Sequence, residues 1–82
     1  MTSLFLAYLF LNDPAASRNV FCIDTRNSDN IIELVIDDNG QVRGATFSSE
    51  TDGSIHNRPL RPGEYSFNGS TVSYAGDTYS CQ

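Results

Sequence analysis

Apolar and polar side chains alternate through the C-terminal stretch Glu64–Cys81, and glycine-containing pairs interrupt the alternation twice, at Asn68-Gly69 and at Gly76-Asp77. Alternation with a period of two belongs to a strand with one buried face, and such pairs are the residues of two-residue hairpin turns. Those turns predict a three-stranded antiparallel meander in which Phe67 faces Ser70, Tyr65 faces Val72, Tyr74 faces Tyr79 and Val72 faces Cys81. One face then gathers Tyr65, Phe67, Val72, Tyr74, Tyr79 and Cys81, and the other Glu64, Ser66, Thr71, Ser73, Ala75, Thr78 and Ser80. A one-residue slip would scramble this division, so the two turns support each other. The aromatic face reads as core packing, with a recognition surface as the alternative.

Upstream, Asn19–Asp24 and Ile31–Ile36 read as strands separated by a polar loop, Thr25–Asn30. Asp37-Asp38-Asn39-Gly40 has the chemistry of a type I turn with Gly40 left-handed, the three-residue hairpin loop that carries a bulge. In that register Ile36 faces Val42 and Leu34 faces Gly44. A two-residue Asn39-Gly40 turn would instead bring Arg43, Ala45 and Phe47 opposite the apolar face, and the pattern leaves both open. Ser48–Pro62 is polar, contains Pro59, Pro62 and Gly53, and reads as the longest loop of the chain, where a binding surface is expected.

Near the N-terminus, Leu4–Leu11 is an unbroken apolar run, too short for the roughly 20 residues of a membrane-spanning helix. It has the length of a signal-peptide core, and small residues follow at Ala15-Ala16-Ser17, but Met1-Thr2-Ser3 lacks the side-chain cation of such a signal. That tilts the reading towards a retained element and a cytoplasmic location over a periplasmic or secreted one, with the compartment otherwise open. Periodicity does not separate a helix capped by Thr2 or Ser3 from a strand buried on both faces, since every position is apolar. Either form needs cover, as the centre of the core or as a contact that builds a homodimer. Asp13-Pro14 has the chemistry to open a further short helical turn. The expected fold is mostly β, or α+β if Leu4–Leu11 is helical, as a single domain over residues 1–82 forming a small sheet or partly open barrel.

Charge changes the functional picture more than the fold. The net charge is −5, and all of the excess lies between Asp24 and Asp52, where seven acids face Arg26 and Arg43. Such a field repels phosphate backbones and anionic lipids and attracts a basic protein surface, although an acidic segment also serves solubility alone. The expectation is a protein partner with a basic surface, no direct nucleic-acid contact and no membrane span. All five cations are arginines, for which there is no physical account.

Candidate chemistry is sparse. Cys22 and Cys81 are either two buried thiols or a disulfide, which would stabilise the fold by roughly 4 kcal/mol in the chain-entropy model. His56 is the only base available to a thiol, and nothing in the sequence positions the pair for catalysis. Ser48–Ile55 has the alternating oxygen side chains of a calcium loop, but its first position is Ser48 and its twelfth Pro59, where a bidentate Glu belongs. Asn68-Gly69-Ser70 matches a glycosylation sequon within a tight turn. Phosphate-binding glycine loops and a nucleophile elbow are missing. No enzyme, cofactor or metal is expected. The residues expected to bind are Asp37, Asp38, Glu50, Asp52, His56 and Arg58.

The layout of Cys22 in the first strand, a β meander, and Tyr79-Ser80-Cys81 at the end resembles the small periplasmic barrels that inhibit c-type lysozyme. The match covers those four positions. The Ser-Gly-rich loop and following Tyr that such inhibitors insert into the lysozyme cleft have no counterpart beyond a distant analogue in Ser48–Gly53. The leading expectation is a small non-enzymatic binding or inhibitory module, of a kind that fits a phage or mobile-element gene. The alternative is an exported envelope domain held by Cys22–Cys81, which the resemblance implies would be a lysozyme-inhibitor-like barrel.

Overall fold

A computed structural model describes residues 17–82. The expectations placed on Leu4–Leu11 and on Asp13-Pro14 lie outside the described residues. Those described form an all-β fold of seven antiparallel strands with no helix among them: β1 (Arg18–Asp24), β2 (Asn30–Ile36), β3 (Val42–Thr51), β4 (Ser54–Pro59), β5 (Tyr65–Phe67), β6 (Thr71–Tyr74) and β7 (Asp77–Cys81). They make one sheet in the order β4-β3-β2-β1-β7-β6-β5. Two meanders, β1–β4 and β5–β7, therefore meet where β7 pairs with β1.

This order obliges the sheet to curl. Strands β4 and β5 are its two edges, yet only residues 60–64 join them. The steps from Pro59 to Tyr65 reach at most about 22 Å at roughly 3.6 Å per residue. A flat sheet of this width would hold its edge strands about 29 Å apart at about 4.8 Å per spacing. The sheet accordingly bends into a half-barrel. Across its hollow the Phe47 and Tyr74 rings, from β3 and β6, lie 5.4 Å apart between centroids.

Val20 and Cys22 of β1, Ile32, Leu34 and Ile36 of β2, Ala45 of β3, Val72 of β6 and Tyr79 of β7 fill the hollow, and Leu60 plugs it from the connecting link. The alternation predicted for the C-terminal meander is present: Val72 and Tyr79 are buried, Tyr65, Phe67, Tyr74 and Cys81 half-buried, and Ser66, Ser73, Thr78 and Ser80 exposed. Its registers differ from expectation by two residues at each turn, which leaves every side chain on its predicted face. Phe67 pairs with Val72 and Tyr65 with Tyr74, because Asn68 flanks the turn instead of entering it. The Asn68 side-chain oxygen accepts the Ser70 and Thr71 amides at 3.0 and 2.8 Å. Gly69, with φ 102°, takes the first central position. At the second turn Ala75 and Gly76 are the central residues, both at positive φ (51° and 83°). Tyr74 therefore faces Asp77 and Val72 faces Tyr79.

The β2–β3 hairpin uses both of its candidate registers, one on each side of a bulge. Ile36 pairs with Val42, as the three-residue loop requires; past the bulge Leu34 pairs with Ala45 and Ile32 with Phe47. Arg43 is the extra residue. Asp37 organises the turn: its Oδ1 accepts the Asn39 and Gln41 amides at 2.9 Å each, and its Oδ2 accepts Nε of Arg43 at 2.8 Å. Gly40 is left-handed as expected, at φ 82°.

The expected long loop Ser48–Pro62 is a correction. Strand β3 runs on to Thr51, Asp52-Gly53 makes a two-residue turn with both φ positive (55° and 79°), and β4 returns beside it with Thr51 opposite Ser54. This is the backbone of a type I′ hairpin, for which Asp-Gly is a preferred sequence. Every residue of β4 is exposed, since an edge strand at the rim need bury neither face, and its sequence therefore carries no apolar alternation.

Cys22 and Cys81 lie directly opposite one another in the β1–β7 ladder, with 3.9 Å between their Cα atoms, and form a disulfide. That ladder has only three residue pairs, so the disulfide fastens the seam between the two meanders. Two flanking bonds lengthen it: the Thr25 amide donates to the Thr78 carbonyl at 3.0 Å and the Gln82 amide to that of Phe21 at 3.1 Å.

Candidate functional site

The four acids among the residues expected to bind divide between the two ends of β3. Asp37 and Asp38 belong to the turn before it, and Glu50 and Asp52 to its far end and the turn after it. Nine strand rises of about 3.3 Å put these ends roughly 30 Å apart. A second division comes from ion pairing. Arg43 takes Asp37, Arg58 takes Glu64 at 2.7 Å, and Arg26 takes Asp77 at 3.6 Å.

Two expected binding residues therefore have internal tasks. The Asp37 carboxyl is held below the ordinary value, chiefly by the Gln41 amide, with the Asn39 amide and Arg43 adding to it. Arg58 spans the hollow: its guanidinium donates to the Tyr74 hydroxyl and to Glu64 Oε2, each at 2.7 Å. Glu64 Oε1 accepts the Arg61 amide at 2.7 Å, which, ahead of Arg58, holds its carboxyl below the ordinary range. Together these bonds pin the 60–64 link. His56 is exposed on β4, opposite Ser49.

Among the described residues Asp24 is the buried acid, at 3% exposure. The Arg26 amide donates to it at 2.9 Å and the Asn30 side chain at 3.3 Å, and the first of these is the main reason its carboxyl titrates below the ordinary value. Ser49 in turn donates its hydroxyl to Asn30 at 2.9 Å. This chain ties the β1–β2 loop to β3. Beside Asp24, the Tyr79 hydroxyl is pushed up to about 12, first by burial and then by the Asp24 and Asp77 charges.

Among the described residues, six side-chain carboxylates lie outside these ion pairs; Asp24 is buried in the hydrogen bonds just given and Glu33 accepts the Asn19 side-chain amide at 2.8 Å, which leaves Asp29, Asp38, Glu50 and Asp52. Asp38 stands alone at the β2–β3 turn. The other three gather at the opposite end, where the Glu50 amide donates to the Asp29 carbonyl at 3.3 Å and draws the β1–β2 loop against β3. Of the oxygen side chains that suggested a calcium loop, Ser48 and Glu50 share the outer face of β3, Asp52 lies in the turn, and Ser54, opposite Thr51, lies on the other face of the sheet.

A groove of about 170 Å³ opens at this acidic end. Ile31 and Ile55 supply its apolar surface, with Ser48 between the strands and Asp29 and Glu50 at the sides. The register accounts for the grouping: Ile31 faces Ser48, and Glu50 faces Ile55, all on the outer side of the sheet. Ile55 is 72% exposed, the most exposed large apolar residue described. Sequence reasoning missed Ile31, Ile55 and Asp29 as site residues. The signal that would have found them is Asp52-Gly53, because a two-residue turn there sets Ile55 opposite Glu50.

Comparison with protein-family models, with curated proteins and with solved structures finds no match.

Proposed function

We propose that this protein is a small non-enzymatic binding or inhibitory module that engages a basic protein surface with the acidic end of its sheet. The observation that carries the reading is the grouping of Asp29, Glu50 and Asp52 beside an exposed apolar groove, each carboxylate outside the ion pairs that hold the fold. Carboxylates left free on a rigid sheet act at range on a cationic partner without first giving up an internal ion pair. Such complementarity accelerates association and makes it sensitive to salt. The test is stopped-flow or surface-based kinetics on the partner captured from the native host, measured over a range of ionic strength. The association rate falls steeply as salt rises; a rate indifferent to salt refutes the mechanism.

A second reading rests on the Cys22–Cys81 disulfide. Disulfides persist in oxidising compartments, so the bond favours an exported envelope domain, and the module then meets its partner outside the cytoplasm. Non-reducing mass spectrometry of the protein taken from its native compartment separates the two. An oxidised pair supports export, and free thiols with an intact Met1 count against it.

A further inference from the structure

Resting on the reading of the acidic end as a partner surface, we infer that the groove between the β1–β2 loop and the β3–β4 hairpin receives one long cationic side chain of the partner, arginine or lysine. Its apolar walls and its charge lie close together. Ile31 and Ile55 offer aliphatic surface, and the Asp29 and Glu50 carboxylates flank it. Arginine and lysine are the side chains built this way, with an aliphatic stem that packs on apolar surface and a charged head that stays at its edge. An apolar side chain would leave the two carboxylates without a counter-charge, and an acidic one would be repelled. Five arginines are present in this chain, and among the described residues three form ion pairs, with Asp37, Glu64 and Asp77, none of which lines the groove. A volume of about 170 Å³ suits a single side chain.

The groove is also placed for capture from outside. It lies on the outer face of the sheet, away from the packed hollow, and Glu50 and Ile55 form a directly opposed pair on the outermost hairpin. Among the described residues, one edge of that hairpin is unpaired and no strand lies beyond it. Ile55 contributes little to the core at its exposure, which allows the site to be altered without loss of the fold.

The test is an amide chemical-shift titration of the full chain with the blocked tripeptide acetyl-Gly-Arg-Gly-amide. The same peptide carrying citrulline, which has the shape of arginine without its charge, serves as the control. The expected result is saturable shifts at Asp29, Ile31, Ser48, Glu50 and Ile55 with the arginine peptide and none with citrulline. Glu50→Gln is expected to weaken binding about two- to fivefold, the range for an exposed ion pair, and Ile55→Ser to weaken it further. Equal shifts at Asp38, equal binding of citrulline, or binding unchanged in both variants would overturn the inference. A partner whose association still depends on salt but is indifferent to Glu50→Gln and Ile55→Ser would refute the groove and leave the acidic-end reading standing. Loss of the salt dependence itself would remove both.

Discussion

Reduction of the Cys22–Cys81 disulfide offers a stability test whose size follows from the chain alone. The bond joins residues separated by 59 positions, and removing that constraint returns loop entropy to the unfolded chain. In the chain-entropy model this is about 14 cal/mol/K, or about 4 kcal/mol at 25 °C. A domain of this size has a total stability of only about 3–10 kcal/mol. The bond also fastens the three-pair ladder on which the two meanders depend. Guanidinium unfolding followed by far-UV circular dichroism, with and without a phosphine reductant at the same pH, measures the effect. For a small domain with a slope of about 2 kcal/mol/M, the midpoint falls by about 2 M on reduction. Cys22→Ala/Cys81→Ala, measured without reductant, falls at least as far, because Cys22 is fully buried and its truncation leaves a void. Midpoints for the reduced and oxidised protein within about 0.5 M of each other would refute the seam argument.

Four further outcomes are expected. Asp24, Asp37 and Glu64 titrate lower in the fold than in the unfolded chain, so their stabilisation is complete above the ordinary carboxylate range near 4 and drains away as pH falls through their lowered values, which acid unfolding followed by circular dichroism records. The Tyr79 hydroxyl behaves in the opposite sense: raised to about 12 from 10.0, it costs stability as pH rises between those values, by about 3 kcal/mol in all, and Tyr79→Phe flattens that alkaline limb. Leu34→Ala, at a fully buried position opposite Ala45, lowers stability by about 2–5 kcal/mol in the same denaturant assay. Ala75→Gly relieves a positive φ of 51° in a two-residue turn and leaves thermal stability unchanged or raised by up to about 1 kcal/mol, whereas Ala75→Val lowers it.

What the sequence disclosed follows the same physics. The inner face of β5–β7 was legible because side-chain direction survives any even shift of register, so misplacing each turn by one residue, which shifts the register by two, moved no side chain across the sheet. The β2–β3 hairpin was legible as two alternatives, and the bulge at Arg43 reconciles them. Strand β4 was not legible from hydropathy, because an edge strand exposed on both faces has no apolar alternation to show; only Asp52-Gly53 marked it. The curl was implicit in the short 60–64 link but needed the strand order to become an argument. The acidic site was half legible. Counting charges along the chain marks the acidic segment, but β3 carries Asp38 and Glu50 towards opposite ends, and Arg43 and Arg58 are claimed by internal carboxylates. The pairing of Cys22 with Cys81 stayed open in the sequence because oxidation depends on compartment; the register that sets them face to face is a property of the fold.

Partner binding is proposed at the Asp29–Glu50–Asp52 end of the sheet. Its most direct test is the affinity of the captured partner for Asp29→Asn/Glu50→Gln/Asp52→Asn, compared with Asp38→Asn as a charge control at the other end of β3. The triple variant is expected to bind at least tenfold more weakly and to lose most of its salt dependence, while Asp38→Asn binds as the native protein does. Equal weakening by Asp38→Asn, or a triple variant with native affinity, would contradict it.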